Sequence, residues 1–215
     1  MTGGRIESEL KYWAESDAPL EALAKAPALG PTTLGPARSV EESDRYLDTA
    51  DLHLSATGWA CRIRERDGRT IISLKGRAEH ATGDALHRRS EVEGPAGPGV
   101  EAAAWPPSPA RDLLIEMAGA GPLLERFTLA QHRIERSVTW GRVVVGLLSL
   151  DRARVLHHGV ELGLLRVVEL EFEKKAITAG LDPGPMAAAL GDLPGLVPDS
   201  LTKLERALAM VAAAQ

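Results

Sequence analysis

A chain of 215 residues, 44% apolar and 26% charged, suits one large soluble domain with a sizeable buried core. Its 25 Lys and Arg against 30 Asp and Glu give a formal net charge of -5, which argues against a general nucleic-acid binder while leaving room for a local basic cavity. A single cysteine, Cys61, rules out an intramolecular disulfide, and neither a signal peptide nor a membrane-length apolar run is legible, so a reducing, cytoplasmic setting without membrane or nucleic-acid partners is expected.

In residues 6–12 the side chains of Glu7, Glu9 and Lys11 share one face of a strand, with Ile6, Leu10 and Tyr12 on the other. A capped helix with an early proline is predicted over 16–25, and a loop or weak strand over 27–38. A strand end follows at 45–48, where Thr49 can cap a turn over 50–55. Gly58 opens a strand over 59–66; Asp67-Gly68 signals a two-residue hairpin returning through 70–75. A polar loop over 76–85 leads to a strand over 86–93. Then comes a connector, 94–109, with five prolines and three glycines, expected to be mobile. A helix over 109–118 precedes strands at 127–140, 142–150 and 162–173, with a short extra strand near 154–157 and a tight turn at Gly141. Helices over 186–190 and 200–213 end the chain. Many antiparallel strands with late helices favour an α+β fold or a helix-decorated barrel, and no dinucleotide-binding or P-loop signature is present.

Charge on every second residue recurs. Arg62, Arg64 and Arg66 share a face; so do Ser73 and Lys75, then Arg89, Glu91 and Glu93, then Glu169, Glu171 and Glu173. Such rows either lie on the solvated face of an open sheet or line the lumen of a barrel. Rows of one sign repel unless something of opposite charge lies between them. Carboxylates hold hard divalent cations and arginines grip phosphates, so a lumen with both would be a metal–polyphosphate site.

Glu7-Ser8-Glu9-Leu10-Lys11 resembles the ExExK signature of the CYTH superfamily, the triphosphate tunnel metalloenzymes. The later pieces are similar in order: Tyr46-Leu47-Asp48-Thr49, Arg62-Ile63-Arg64, Ser73-Leu74-Lys75-Gly76, Arg89-Ser90-Glu91-Val92-Glu93, Arg133, Asp151 and Glu169-Leu170-Glu171. Thr202-Lys203-Leu204-Glu205-Arg206 resembles the terminal Ser-Lys-x-x-Arg element, with Thr in place of Ser. The resemblance implies a single domain over 1–215: an eight-stranded antiparallel β-barrel tunnel with helices packed outside, binding a small-molecule triphosphate with Mg²⁺ or Mn²⁺. It assigns the metal to Glu7, Glu9, Glu169, Glu171 and Asp151, with Glu91 and Glu93 as further ligands and Glu173 at the rim. It assigns phosphate binding to Lys11, Arg62, Arg64, Lys75, Arg89, Arg133 and Lys203, and catalysis to Glu7, Glu9 and Lys11. Arg66 has the right parity but borders the hairpin; Arg136 has the wrong parity relative to Arg133 and should face outward. Tyr46 and Asp48 are expected to brace a strand-to-helix junction, and the four tryptophans to pack or cover loops. The implied activity is hydrolysis of tripolyphosphate, or of nucleoside or thiamine triphosphates. An adenylyl cyclase of class IV type and a non-catalytic polyphosphate-binding module are the alternatives, and a homodimer is left open.

Overall fold

The computed structural model describes residues 5–77, 79–80, 86–119 and 122–214. In chain order these form β1 (Arg5–Ala14), α1 (Ala18–Lys25), β2 (Ala28–Leu29), β3 (Thr32–Leu34), β4 (Arg38–Asp48), α2 (His53–Ala56), β5 (Ala60–Arg66), β6 (Arg69–Lys75), β7 (Glu79–His80), β8 (Leu86–Pro95) and α3 (Pro109–Ala118). Then follow β9 (Leu124–Trp140), β10 (Val143–His157), β11 (Val160–Phe172), α4 (Lys174–Thr178), α5 (Gly184–Gly191), β12 (Leu196–Pro198) and α6 (Lys203–Ala213). Among the described residues, no helix is long and apolar enough to cross a membrane. The polar loop expected over 76–85 lies mostly outside the described residues.

The sheet runs β10-β11-β1-β8-β6-β5-β4-β9, and β9 pairs back onto β10. Every pairing is antiparallel, so eight strands close into a barrel with helices packed around it, and the choice between open sheet and lumen is settled in favour of the lumen. The predicted hairpin is present: Asp67 and Gly68 both have positive φ, 50° and 71°, the backbone that a two-residue turn between right-twisted strands demands.

Alternation decides where the apolar residues go. The outward side chains of β1, β10 and β11, among them Leu10, Leu148, Leu150, Val168 and Leu170, pack under α1, α4 and α5 around Leu20, Ala176, Met186 and Leu190. Ile63, Ile72 and Leu74 of β5 and β6 do the same under α2 and α3 with Leu54 and Leu114. A third cluster has the opposite parity. Phe127, Leu129, Ala153, Val155, Leu165 and Val167 share the phase of the inward-facing Arg133, Asp151 and Glu169, and they pack against Ala207 and Val211 of α6. The long strands β9, β10 and β11 thus overhang one end of the barrel, and α6 closes it.

Three expectations are corrected. β4 begins at Arg38, well before the strand end predicted at 45. The strands predicted over 142–150 and near 154–157 are one: β10 continues because Asp151 turns inward while Arg152 turns outward onto Asp17 (2.9 Å). The 94–109 connector is tied down: Trp105 is buried and donates to the Gly99 carbonyl, and Arg111 binds the carbonyls of Ala102 and Ala103. Ser108 caps α3, which spans the predicted 109–118.

Candidate functional site

The lumen holds a cavity of about 380 Å³ lined by Glu7, Glu9, Lys11, Arg62, Arg64, Lys75, Arg89, Glu91, Glu93, Arg133, Glu169, Glu171 and Lys203. All eight barrel strands and α6 converge there because each strand contributes one parity of its alternation. Of the sequence-predicted site residues only Asp151 is absent from that surface; it is fully buried behind Arg133 and Lys203. Glu93 is exposed at the rim, and Glu173 lies beyond it, at the start of α4.

The charges are wired into a closed circuit. Starting at Glu91, contacts run to Lys75 (3.0 Å), Glu7 (3.0 Å), Arg89 (2.8 Å), Glu9 (3.1 Å), Lys11 (3.0 Å) and Glu169 (3.3 Å). They continue through Lys203 (2.8 Å), Asp151, Arg133 (2.6 Å), Glu42 (3.4 Å), Arg64 (3.0 Å), Asp44 (2.7 Å) and Arg62 (3.3 Å). Arg62 donates to Ser73 Oγ (3.4 Å) and Ser73 donates to Glu91 (2.8 Å), which closes the ring. Carboxylate and cation alternate throughout, so each buried charge meets an opposite one, as burial requires.

The electrostatics follow from that wiring. Burial alone would raise the Glu7 carboxyl, but Lys75 and Arg89 outweigh it and hold it at about 2. Burial opposes ionisation at Asp44, Asp151 and Glu169 too, and their cationic neighbours again prevail, keeping all three below the usual carboxylate range. Lys203 is pushed the other way: burial disfavours its charge, and Asp151 and Glu169 more than restore it, raising its pKa. Lys203 is also the first residue of α6, whose capping box of Thr202 and Glu205 stands at the lumen.

Two members of the ring, Glu42 and Asp44, have no counterpart among the predicted residues; Gln131 and Glu135 of β9 join them behind the arginines. The signal was present as Glu42-x-Asp44, two residues before Tyr46 on the same face. Arg66 does point inward and binds Glu135 bidentately (2.6 Å each). Arg136 faces away from the lumen as expected, yet it is buried, donating to the carbonyls of Leu23, Ala26, Leu34 and Gly35. Asp48 braces its junction by accepting from the backbone N–H groups of Leu54 and Ser55, while Tyr46 stacks on Phe127 at 4.7 Å and lines the cavity. Trp140 departs from the packing role: it is exposed at the tip of the β9–β10 hairpin.

Among the described residues, no three His, Cys, Asp or Glu side chains stand together as a preformed metal site. The donor set nevertheless fits a hard divalent cation. Glu9 and Glu171 are direct cross-strand neighbours on β1 and β11, and both face the lumen. Like charges so placed destabilise a sheet, and an ion between them would reverse that.

The CYTH domain profile matches residues 5–184. No curated protein matches the chain at a significant level. Among solved structures the chain is similar to a Hippeastrum protein described as a candidate adenylyl cyclase with a dominant triphosphatase activity: 19% identity, 94% of this chain and 95% of that one covered, TM-score 0.65. It is similar to a candidate adenylate cyclase from Bacillus halodurans (18% identity, 94% and 97% covered, TM-score 0.58). A protein from Pyrococcus horikoshii OT3 is also similar (17% identity, 94% and 98% covered, TM-score 0.53).

Proposed function

The chain belongs to the CYTH domain family, and from that premise we propose that its lumen is the site of a divalent-metal-dependent triphosphatase. It hydrolyses inorganic tripolyphosphate to diphosphate and orthophosphate. The observation that carries this reading is the closed ring of alternating charge, in which all seven cations of the phosphate-binding set take part.

Without substrate, each cation of the ring is held by a carboxylate. A triphosphate entering the lumen replaces those carboxylates as the partner of Lys75, Arg89, Arg62, Arg64 and Lys203, with arginine forks matching phosphate oxygens. Arg62 Nε has no hydrogen-bond partner among the described residues, a donor in reserve for a phosphate oxygen. The released carboxylates Glu7, Glu9 and Glu169, with Glu171 opposite Glu9 and Asp151 behind them, would hold Mg²⁺ or Mn²⁺. Such an ion would neutralise phosphate charge and lower the pKa of a bound water. Water adds to the terminal phosphorus, the bridging P–O bond breaks, and the proton leaves with the products; the cations stabilise the charge that develops on the departing diphosphate. Lys11, between Glu9 and Glu169, orients both carboxylates (3.0 and 3.3 Å).

Incubation with tripolyphosphate, ATP or thiamine triphosphate, with Mg²⁺ or Mn²⁺ and with chelator, tests the proposal. Metal-dependent orthophosphate release from tripolyphosphate, lost in Glu9→Ala, supports it. Cyclic AMP and diphosphate from ATP would identify a cyclase, and tight binding without turnover a polyphosphate-binding module.

A further inference from the structure

Beside the tunnel lies a second groove, of about 370 Å³, whose charged residues are Arg77, Arg88, Arg89 and Lys174. None of its lining residues is acidic, in a chain whose net charge is -5. Arg77, Arg88 and Lys174 are exposed and have no anionic partner among the residues whose side chains are described, whereas every cation of the tunnel ring is matched. The groove and the lumen share Arg77 and Arg89 in their walls, so these two residues border both. Ile6, 58% exposed, and Phe172 with Ile177 of α4 form its apolar floor.

Three cations without a carboxylate partner among the described side chains, Arg77, Arg88 and Lys174, call for a ligand with several negative charges. A nucleoside attached to a triphosphate brings none. A linear polyphosphate brings one per additional unit. Resting on the triphosphatase reading above, we propose that this groove is an outer subsite for the phosphate units of a linear polyphosphate beyond the three held in the tunnel. Arg77 bridges the two compartments, and Arg88 and Lys174 hold the emerging chain.

The test compares tripolyphosphate with a medium-chain linear polyphosphate on the full chain with Mg²⁺, measuring KM and, by calorimetry, binding. Arg88 and Lys174 are exposed and outside the tunnel, so Arg88→Ala/Lys174→Ala leaves the fold and the tunnel untouched. Expected is a lower KM for the longer chain in the wild type. In the double variant the KM for that chain rises roughly tenfold, while tripolyphosphate kinetics stay unchanged. The wild-type advantage should also shrink at high ionic strength. Equal KM for both chains in the wild type, or equal damage to both in the variant, overturns the subsite while leaving the triphosphatase standing. No turnover or binding of tripolyphosphate by the wild type overturns the triphosphatase reading and the subsite with it.

Discussion

Lys203, at the start of the C-terminal helix, binds Asp151 of β10 and Glu169 of β11, fastening the element that closes the barrel to the wall of the lumen. One ammonium therefore serves both closure and charge balance. Lys203→Met should cost about 2–4 kcal/mol in urea unfolding, since Asp151 then keeps only Arg133 as its cationic partner among the described residues. It should also raise the KM for tripolyphosphate roughly tenfold. An unchanged denaturation midpoint would show that the helix is held by its apolar face alone.

Asp44 holds Arg62 at 3.3 Å and Arg64 at 2.7 Å. Asp44→Asn leaves two buried guanidinium groups short of a counter-charge, and a loss of about 3 kcal/mol in the ligand-free protein follows. Phosphate can substitute for the missing carboxylate. Tripolyphosphate should accordingly raise the melting temperature of Asp44→Asn by more than it raises that of the wild type. Equal shifts would mean that these arginines do not meet the ligand.

Acid should unfold the ligand-free protein in a defined window. Glu7 is held at about 2 against an ordinary 4.5, and Asp44, Glu91, Asp151 and Glu169 are lowered as well. Carboxylates with depressed pKa values contribute stability that is present above the ordinary range and lost as protons bind. Unfolding free energy should hold steady near neutrality and fall from about pH 4.5 towards 2, and Glu7→Gln should flatten part of that slope. Denaturant titrations across the range provide the check.

Gly146 sits where β10 bulges against β9, and a Cβ there would come 2.5 Å from the Glu171 carbonyl oxygen. Backbone cannot give way as a side chain can. Gly146→Ala should cost about 1–3 kcal/mol and depress activity by shifting β11, which carries Glu169 and Glu171. Gly163→Ala, whose new methyl meets only the flexible Met210 at 3.3 Å, is the matched control and should be nearly silent.

Cys61 is buried on the outer face of β5, where burial pushes its thiol up to about 12. It should resist thiol reagents in the native protein and react on unfolding, which makes its labelling rate a built-in reporter for the stability measurements above.

Alternation alone made most of the site legible, because a lumen wall must show charge at every second residue wherever helices cover the outer face. β5, β6, β8 and β11 obey that condition, and their charged rows were readable. β4 does not. Its outer residues Glu41, Ser43 and Arg45 are polar and stay exposed or half-buried, so the strand from Arg38 lacks the apolar half of the pattern and Glu42 and Asp44 went unseen. The break expected after Leu150 arose the same way: Asp151-Arg152 reads as a turn until the barrel buries one charge and pairs the other with Asp17. Arg136 shows a different limit, since parity gave its direction but not the carbonyls of a distant helix end that bury it.

Seven acids and seven bases share the inner ring, so the ring carries no surplus charge with which to draw in a bare polyanion. It behaves like a mixed-bed ion exchanger. Phosphates displace acids from the bases only as cations take up the acids thus freed, and the site loads with a salt rather than an ion. Half-loading leaves one set of buried charges bare, so uptake of anion and of divalent cation is mutually reinforcing.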